Sequence, residues 1–192
     1  PDKDTVTVVI PVRSNSLATP QKDAAVTASN IRAMQRITAI RLDVLTDDSL
    51  PRRGPGRQDN GNFHLSEFEV YVDGSQTPET LVNATADFNQ SSWEISKAID
   101  GNGETAWGID PKEGTPHHAM FEIREPISVI GVASADATND GNAKSSRSAS
   151  SLRIVLKQLH GRSHLIGRMK ISLTDAVTPV RVEATPDEIR SI

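Results

Sequence analysis

The chain contains no cysteine, which removes disulfides, thiolate metal sites and a cysteine nucleophile from consideration and leaves the redox compartment unmarked. Aromatic residues are scarce, 4% of the sequence with two tryptophans and one tyrosine, so few rings are available to stack on a ligand. No apolar run approaches the roughly 20 residues that span a bilayer, and no signal-peptide pattern opens the chain. A basic excess is also missing: the formal net charge of -4 argues against a phosphate-backbone partner, because nucleic-acid binding rests on clustered Lys and Arg that displace counterions. Nor is there a Gly-x-Ser-x-Gly elbow, a His-Glu-x-x-His pair or a phosphate-cradling P-loop. Carboxylate pairs are present, but 25 acidic residues produce such pairs by chance. The expectation is a chain that is not an enzyme, with no nucleic-acid partner and no membrane insertion.

What remains is a pattern of short strands. A chain of 192 residues supports one well-buried core and is short for two. Apolar and polar residues alternate with the period of a half-buried strand in "TVTVVI" from Thr5, "IRLDVL" from Ile40, "FEVYV" from Phe68, "MFEI" from Met120 and "LRIVL" from Leu152. "RMKISL" from Arg168 and "VRVEA" from Val180 repeat it. Clusters of Gly, Pro, Asn, Asp and Ser separate these runs as turns. The reading is all-β, a mostly antiparallel sandwich or jelly roll with minor short helices. One helix is expected in "PQKDAAVTASNIRAMQRI" from Pro20, and a long loop in the Ser-rich segment 133–151. At the far end "TPDEIRSI" presents Thr185 as N-cap, Pro186 at the first helical position and Glu188 at the reach-back position of a capping box. The expected organisation is one sandwich over 1–184, with 185–192 beginning a linker helix. The helix that begins there implies a module of a longer protein, and the first residue, Pro1 in place of methionine, suggests a fragment or a processed chain.

The run "AIDGNGETAW", Ala98 to Trp107, admits a polar tight turn, a cation loop or the edge of a binding pocket. Calcium takes six to eight hard oxygens. Asp100 and Thr105 supply side-chain oxygens, while Gly101 and Gly103 let the backbone curl its carbonyls inward. An EF-hand is excluded, since Thr105 stands where its glycine belongs and Pro111 where its bidentate glutamate belongs. For a single "DG", a turn with the aspartate capping its own backbone is the commoner outcome. In "NFHLSEFEVYV" the apolar phase slips between Leu65 and Phe68. A β-bulge there would turn Glu67 toward the interior side of the strand, where a buried carboxylate needs a cation or an arginine.

"SEFEVYV" resembles the "sEiEvy" strand, and "AIDGNGETAWGI" the "aiDGd..T.W" loop, of galactose-binding-like domains. That group includes discoidin, the coagulation-factor type C domains and family 32 carbohydrate-binding modules. The stretches "ITAIRLDVLTDDSLPRRGPGRQDNGNFHLSEFEV", "ADFNQSSWEISKAIDG" and "LKQLHGRSHLIGRMKISLTD" are closer still to a domain of large bacterial proteins that also carry a cytochrome-c-like haem domain. The resemblance covers most of Ile37 to Asp175. In the discoidin pattern the "sEiEvy" strand closes the domain, whereas here it precedes the "DG" loop, as in a circular permutation. The resemblance implies a galactose-binding-like jelly roll with one structural calcium held by Asp100, Asn102, Thr105 and Glu67. It also implies a periplasmic or extracellular module that binds a polysaccharide or oligosaccharide.

For an anionic glycan, the candidate loop is "LPRRGPGRQDNGNFH", whose guanidiniums suit carboxylate or sulfate groups. Arg53, Arg57, His64 and His117 are the expected ligand-binding residues. The competing expectation is a scaffold that docks neighbouring domains of the same chain through those arginines. Trp93 and Trp107 fall at framework positions of the resembled pattern and are expected in the core. His160 and His164, in "HGRSH", have a spacing that would chelate a metal on a helix. On a strand-and-loop segment they read as turn or core histidines.

Overall fold

The alternating runs pair into two sheets. In a computed structural model that describes residues 1–12, 36–129 and 148–182, the strands are β1 (Asp4–Pro11), β2 (Arg36–Val44), β3 (Glu67–Val72), β4 (Leu81–Ala86), β5 (His117–Val129), β6 (Ser148–Ala149), β7 (Ser151–Gln158) and β8 (Met169–Thr174). One sheet has the order β1-β7-β3. The other runs β4-β5-β2-β8, with the two-residue β6 beside β5. Every pairing is antiparallel except that of β6.

The sheets face each other across one core. Phe68 on β3 and Phe121 on β5 stack with ring centroids 4.1 Å apart and planes 4° from parallel. Around them Leu42, Val70, Ile123, Ile154 and Leu156 are buried in the same cluster. Such a two-layer closure buries the apolar face of each sheet, as a sandwich requires.

Several expectations need correction. "VRVEA" forms no strand over its described residues, 180–182. The Val180 N–H instead donates to Glu122 Oε1, and the Val182 N–H to Thr85 Oγ1, so side chains take the place of a ladder. β4, "LVNATA", was missing from the sequence pattern because its register against β5 shifts between Val82 and Thr85, with Asn83 in the left-handed region at φ 49°. The shift breaks the period of two. Of the helix expected from Pro20, Arg36 and Ile37 begin β2, and its other residues lie outside the described residues up to 35. Most of the Ser-rich segment and all of 185–192 lie outside them as well, though residues 148–149 of that segment form β6 and residue 151 begins β7. The short helices that are described are 3₁₀ turns, at Pro51–Arg53 and Ile95–Ile99.

Candidate functional site

The 3₁₀ turn Ile95–Ile99 delivers Asp100, and Gly101, at φ 78°, reverses the chain behind it. Asp100 Oδ1 accepts the Asn102 N–H at 2.8 Å. The Thr105 hydroxyl lies 2.8 Å from Asp100 Oδ2 and 2.9 Å from the Asn102 carbonyl, and Asn102 Oδ1 accepts the Glu104 N–H at 3.1 Å. The aspartate thus caps its own backbone in a tight polar turn, the commoner of the outcomes expected for this run.

Glu67 comes to this loop by a different route from the one expected. Its pairing with Lys157 continues in register through Val72 opposite Leu152, so no bulge interrupts β3. Leu65 instead leaves the ladder and pairs with Trp107. Glu67 shares a face with Glu69 and Tyr71, opposite the core residues Phe68 and Val70. It is buried on the outer face of its sheet because the turn that carries Asp100 packs against β3. Only 6% of Glu67 is exposed, and among the described residues its Oε1 has no hydrogen-bond partner. Burial pushes its carboxyl up to about 7, with the charges of Asp100 and Glu69 adding to the rise and Lys157 and the Gly101 N–H opposing it.

A second cluster lies beside this one. Ser66 Oγ accepts the Leu159 N–H, the Leu159 side chain closes on Gly103, and the next residue is His160. His64, His160 and His164 bring ring nitrogens within 4.8 Å of one another. The His64 ring is sandwiched, parallel to Trp93 at 4.1 Å and to His164 at 4.4 Å. His160 stands edge-on to both His64 and Trp93. Trp93 is thus only partly buried and packs on this cluster, outside the central core, whereas Trp107 is fully buried in the core and donates its indole N–H to the Phe88 carbonyl.

The arginine loop is pinned by its backbone. The Arg57 N–H donates to the Leu165 carbonyl, the Gly167 N–H to Pro55, the Gly56 N–H to Gly61, and the Asp47 N–H to Arg53. Arg57 is exposed and anchored beside His164. Arg53, also exposed, turns its Nε to Asp48 at 3.0 Å. That pair, with side chains 68% and 90% exposed, is readily exchanged for another anion.

His117 has no exposed surface. Its Nδ1 lies 3.0 Å from Asp87 Oδ2 and its Nε2 2.8 Å from the Lys112 carbonyl, so both nitrogens are committed and none faces a ligand. Thr115 sits 3.3 Å from the same Nε2, a hydroxyl–imidazole–carboxylate series. An Nε2 turned to a carbonyl is a donor, however, and does not serve that hydroxyl as a base. The network holds β5 to the segment after β4, since Asp87 Oδ1 also accepts the His118 N–H. These bonds hold the Asp87 carboxyl below its ordinary value against the opposing effect of burial. His117→Leu is expected to cost roughly 1–3 kcal/mol in a denaturant melt, the range for stripping a partner from a buried polar group, while leaving glycan and metal binding intact. An unchanged midpoint would remove the structural role.

No family model, no curated protein and no solved structure matches this chain. The site is therefore read from its own geometry. Of the residues singled out in sequence, Asp100, Asn102, Thr105 and Glu67 come together, and Arg57 and His64 meet the segment at His164 and Leu165. Arg53 and His117 turn to internal carboxylates. The cluster around His64 was missed, because its members belong to segments that only the fold brings together.

Proposed function

We propose that this chain is a non-catalytic binding module of the galactose-binding-like kind, a calcium-braced sandwich of an exported bacterial protein that recognises an anionic carbohydrate. The observation that carries the calcium reading is Glu67: a carboxylate nearly removed from water, one oxygen without a partner, facing the Asp100 loop. A buried charge left in that state is costly. A hard dication beside Asp100, Thr105 and the Asn102 carbonyl offsets that cost with the oxygen donors it prefers. Those residues fit the ion, and its part is to fasten the loop to the outer face of β3.

The glycan reading rests on Arg57, an exposed guanidinium whose backbone is tied to Leu165, so that binding has to order the side chain and not the loop backbone. Arg53 can exchange its exposed partner Asp48 for a sulfate or carboxylate. Titration calorimetry of the whole chain against sulfated, uronic-acid and neutral polysaccharides checks this. Binding to the anionic members, weakened about tenfold or more by Arg57→Ala, the loss of one charge-assisted contact, is the expected result. Silence across the panel would hand the loop to docking of a neighbouring domain.

A further inference from the structure

His160, Gly161 and His164 lie on a tight turn in which Arg162 and Ser163 both occupy the left-handed region, at φ 53° and 57°. The turn folds the chain back so that His164 donates from Nδ1 to the Gly161 carbonyl at 2.9 Å, the acceptor that leaves Nε2 as the unprotonated nitrogen. The His164 carbonyl in turn accepts the His64 N–H at 3.0 Å, which sets the third imidazole against the other two. His64 is 4% exposed, and among the described residues neither of its ring nitrogens has a hydrogen-bond partner. Gln90 lies close enough to act on the ring, but its Oε1 already accepts from Asn62 Nδ2 and the Asp110 N–H, and it makes no bond of hydrogen-bond geometry to His64. An apolar ring would fill the slot between Trp93 and His164 without burying two unmet polar atoms.

We propose that His64, His160 and His164 form a site for a divalent transition-metal ion of the zinc class, bound through three imidazole nitrogens with a fourth position open on the exposed His160 side. The donor set is all nitrogen, which suits zinc and its first-row neighbours and disfavours calcium. Three histidines with one open position is also the ligand count of zinc sites that accept an exchangeable fourth ligand. Zinc–nitrogen bonds near 2.0–2.1 Å place tetrahedral donors about 3.3 Å apart, so donors at the present 4.8 Å limit must close by about 1.5 Å. The exposed His160 swings in by ring rotation, and the half-buried His164, now 6° from parallel with His64, tilts out of the stack so that their in-plane nitrogens converge, while Trp93 holds His64.

The test is zinc titration of the tag-free 192-residue chain in saturating calcium, at neutral pH, against a competing chromophoric chelator. One zinc ion per chain is expected. His160→Gln combined with His164→Gln, both outside the core, should weaken binding more than about 100-fold, beyond the loss typical of an outer-shell change, with the zinc-free melting midpoint retained. Glu67→Gln, which removes the oxygen site, should leave zinc affinity unchanged and so separates this proposal from the calcium reading. No zinc uptake, or equal affinity in the double variant and the wild type, overturns the site.

Discussion

Chelating calcium is expected to lower the melting midpoint of this chain, and to lower it more at pH 8 than at pH 5. Glu67 decides the sign. Its carboxyl is pushed from 4.5 up to about 7 in the folded, ion-free protein, so between those values the folded state binds more protons than the unfolded one. The stability this protonation contributes is complete below about 4.5 and is lost as pH rises through about 7. A shift of that size corresponds to something on the order of 3 kcal/mol. On the proposed reading, calcium would bind the ionised carboxylate and restore at high pH what proton loss removes. At a thousandfold excess over its Kd the ion adds about 4 kcal/mol, or roughly 8–16 °C for a chain of this length. His64 works in the opposite sense: pushed down to about 3, it contributes stability that is complete above about 6.5 and is lost as pH falls toward 3. The clean readout is therefore the difference between wild type and Glu67→Gln across pH, with and without chelator. Glu67→Gln should abolish both the calcium response and the loss of stability above pH 5. Identical melts with and without chelator at both pH values, and no calcium by elemental analysis, would sink the reading.

Gly56→Ala is expected to be the most damaging single-methyl change in the arginine loop. A Cβ at position 56 would sit 1.8 Å from the Asn62 carbonyl oxygen, 2.2 Å from its carbon and 2.7 Å from the Phe63 nitrogen. All of these are backbone atoms, with no flexible side chain to yield. Asn62 is also fixed from the other side, because its Oδ1 accepts the Ile109 N–H and its Nδ2 donates to Gln90. Relief therefore means moving the loop, at the upper end of overpacking costs, about 3 kcal/mol or more. The loop hydrogen bonds from Arg57 to Leu165 and from Gly167 to Pro55 would open together. Amide exchange at Arg57 and Gly167 should accelerate, and glycan binding through Arg57 should fall with it. Gly74→Ala is the control: its φ of 77° carries strain, but nothing lies within 4 Å of the added carbon, so its cost is about 1 kcal/mol. Equal melting of the two variants would show that the loop tolerates displacement.

Strand identity was readable wherever a strand keeps one face in the core. "FEVYV" and "LRIVL" alternate because Phe68, Val70, Leu152, Ile154 and Leu156 face the opposite sheet, and that constraint is written residue by residue. The turn at Asp100 was readable for a similar reason: Asp100, Asn102, Glu104 and Thr105 satisfy one another within a few residues. Other features depended on partners distant in sequence. "LVNATA" loses its alternation to a register shift against β5, and "VRVEA" has strand chemistry but meets Glu122 and Thr85 side chains where a ladder would be. His117 looked like a surface ligand until β5 buried it against Asp87.

The sequence by itself determined the all-β class, the local oxygen loop and the absence of thiol chemistry, because these rest on residue type and short-range periodicity. Only the tertiary structure decided which face of β3 carries Glu67, that Trp93 belongs with histidines and outside the central core, and that His64 meets His160 and His164. The physical reason is that burial and imidazole pairing are properties of surroundings. Those surroundings come from strands and loops that the pairing of β3 with β7 brings together.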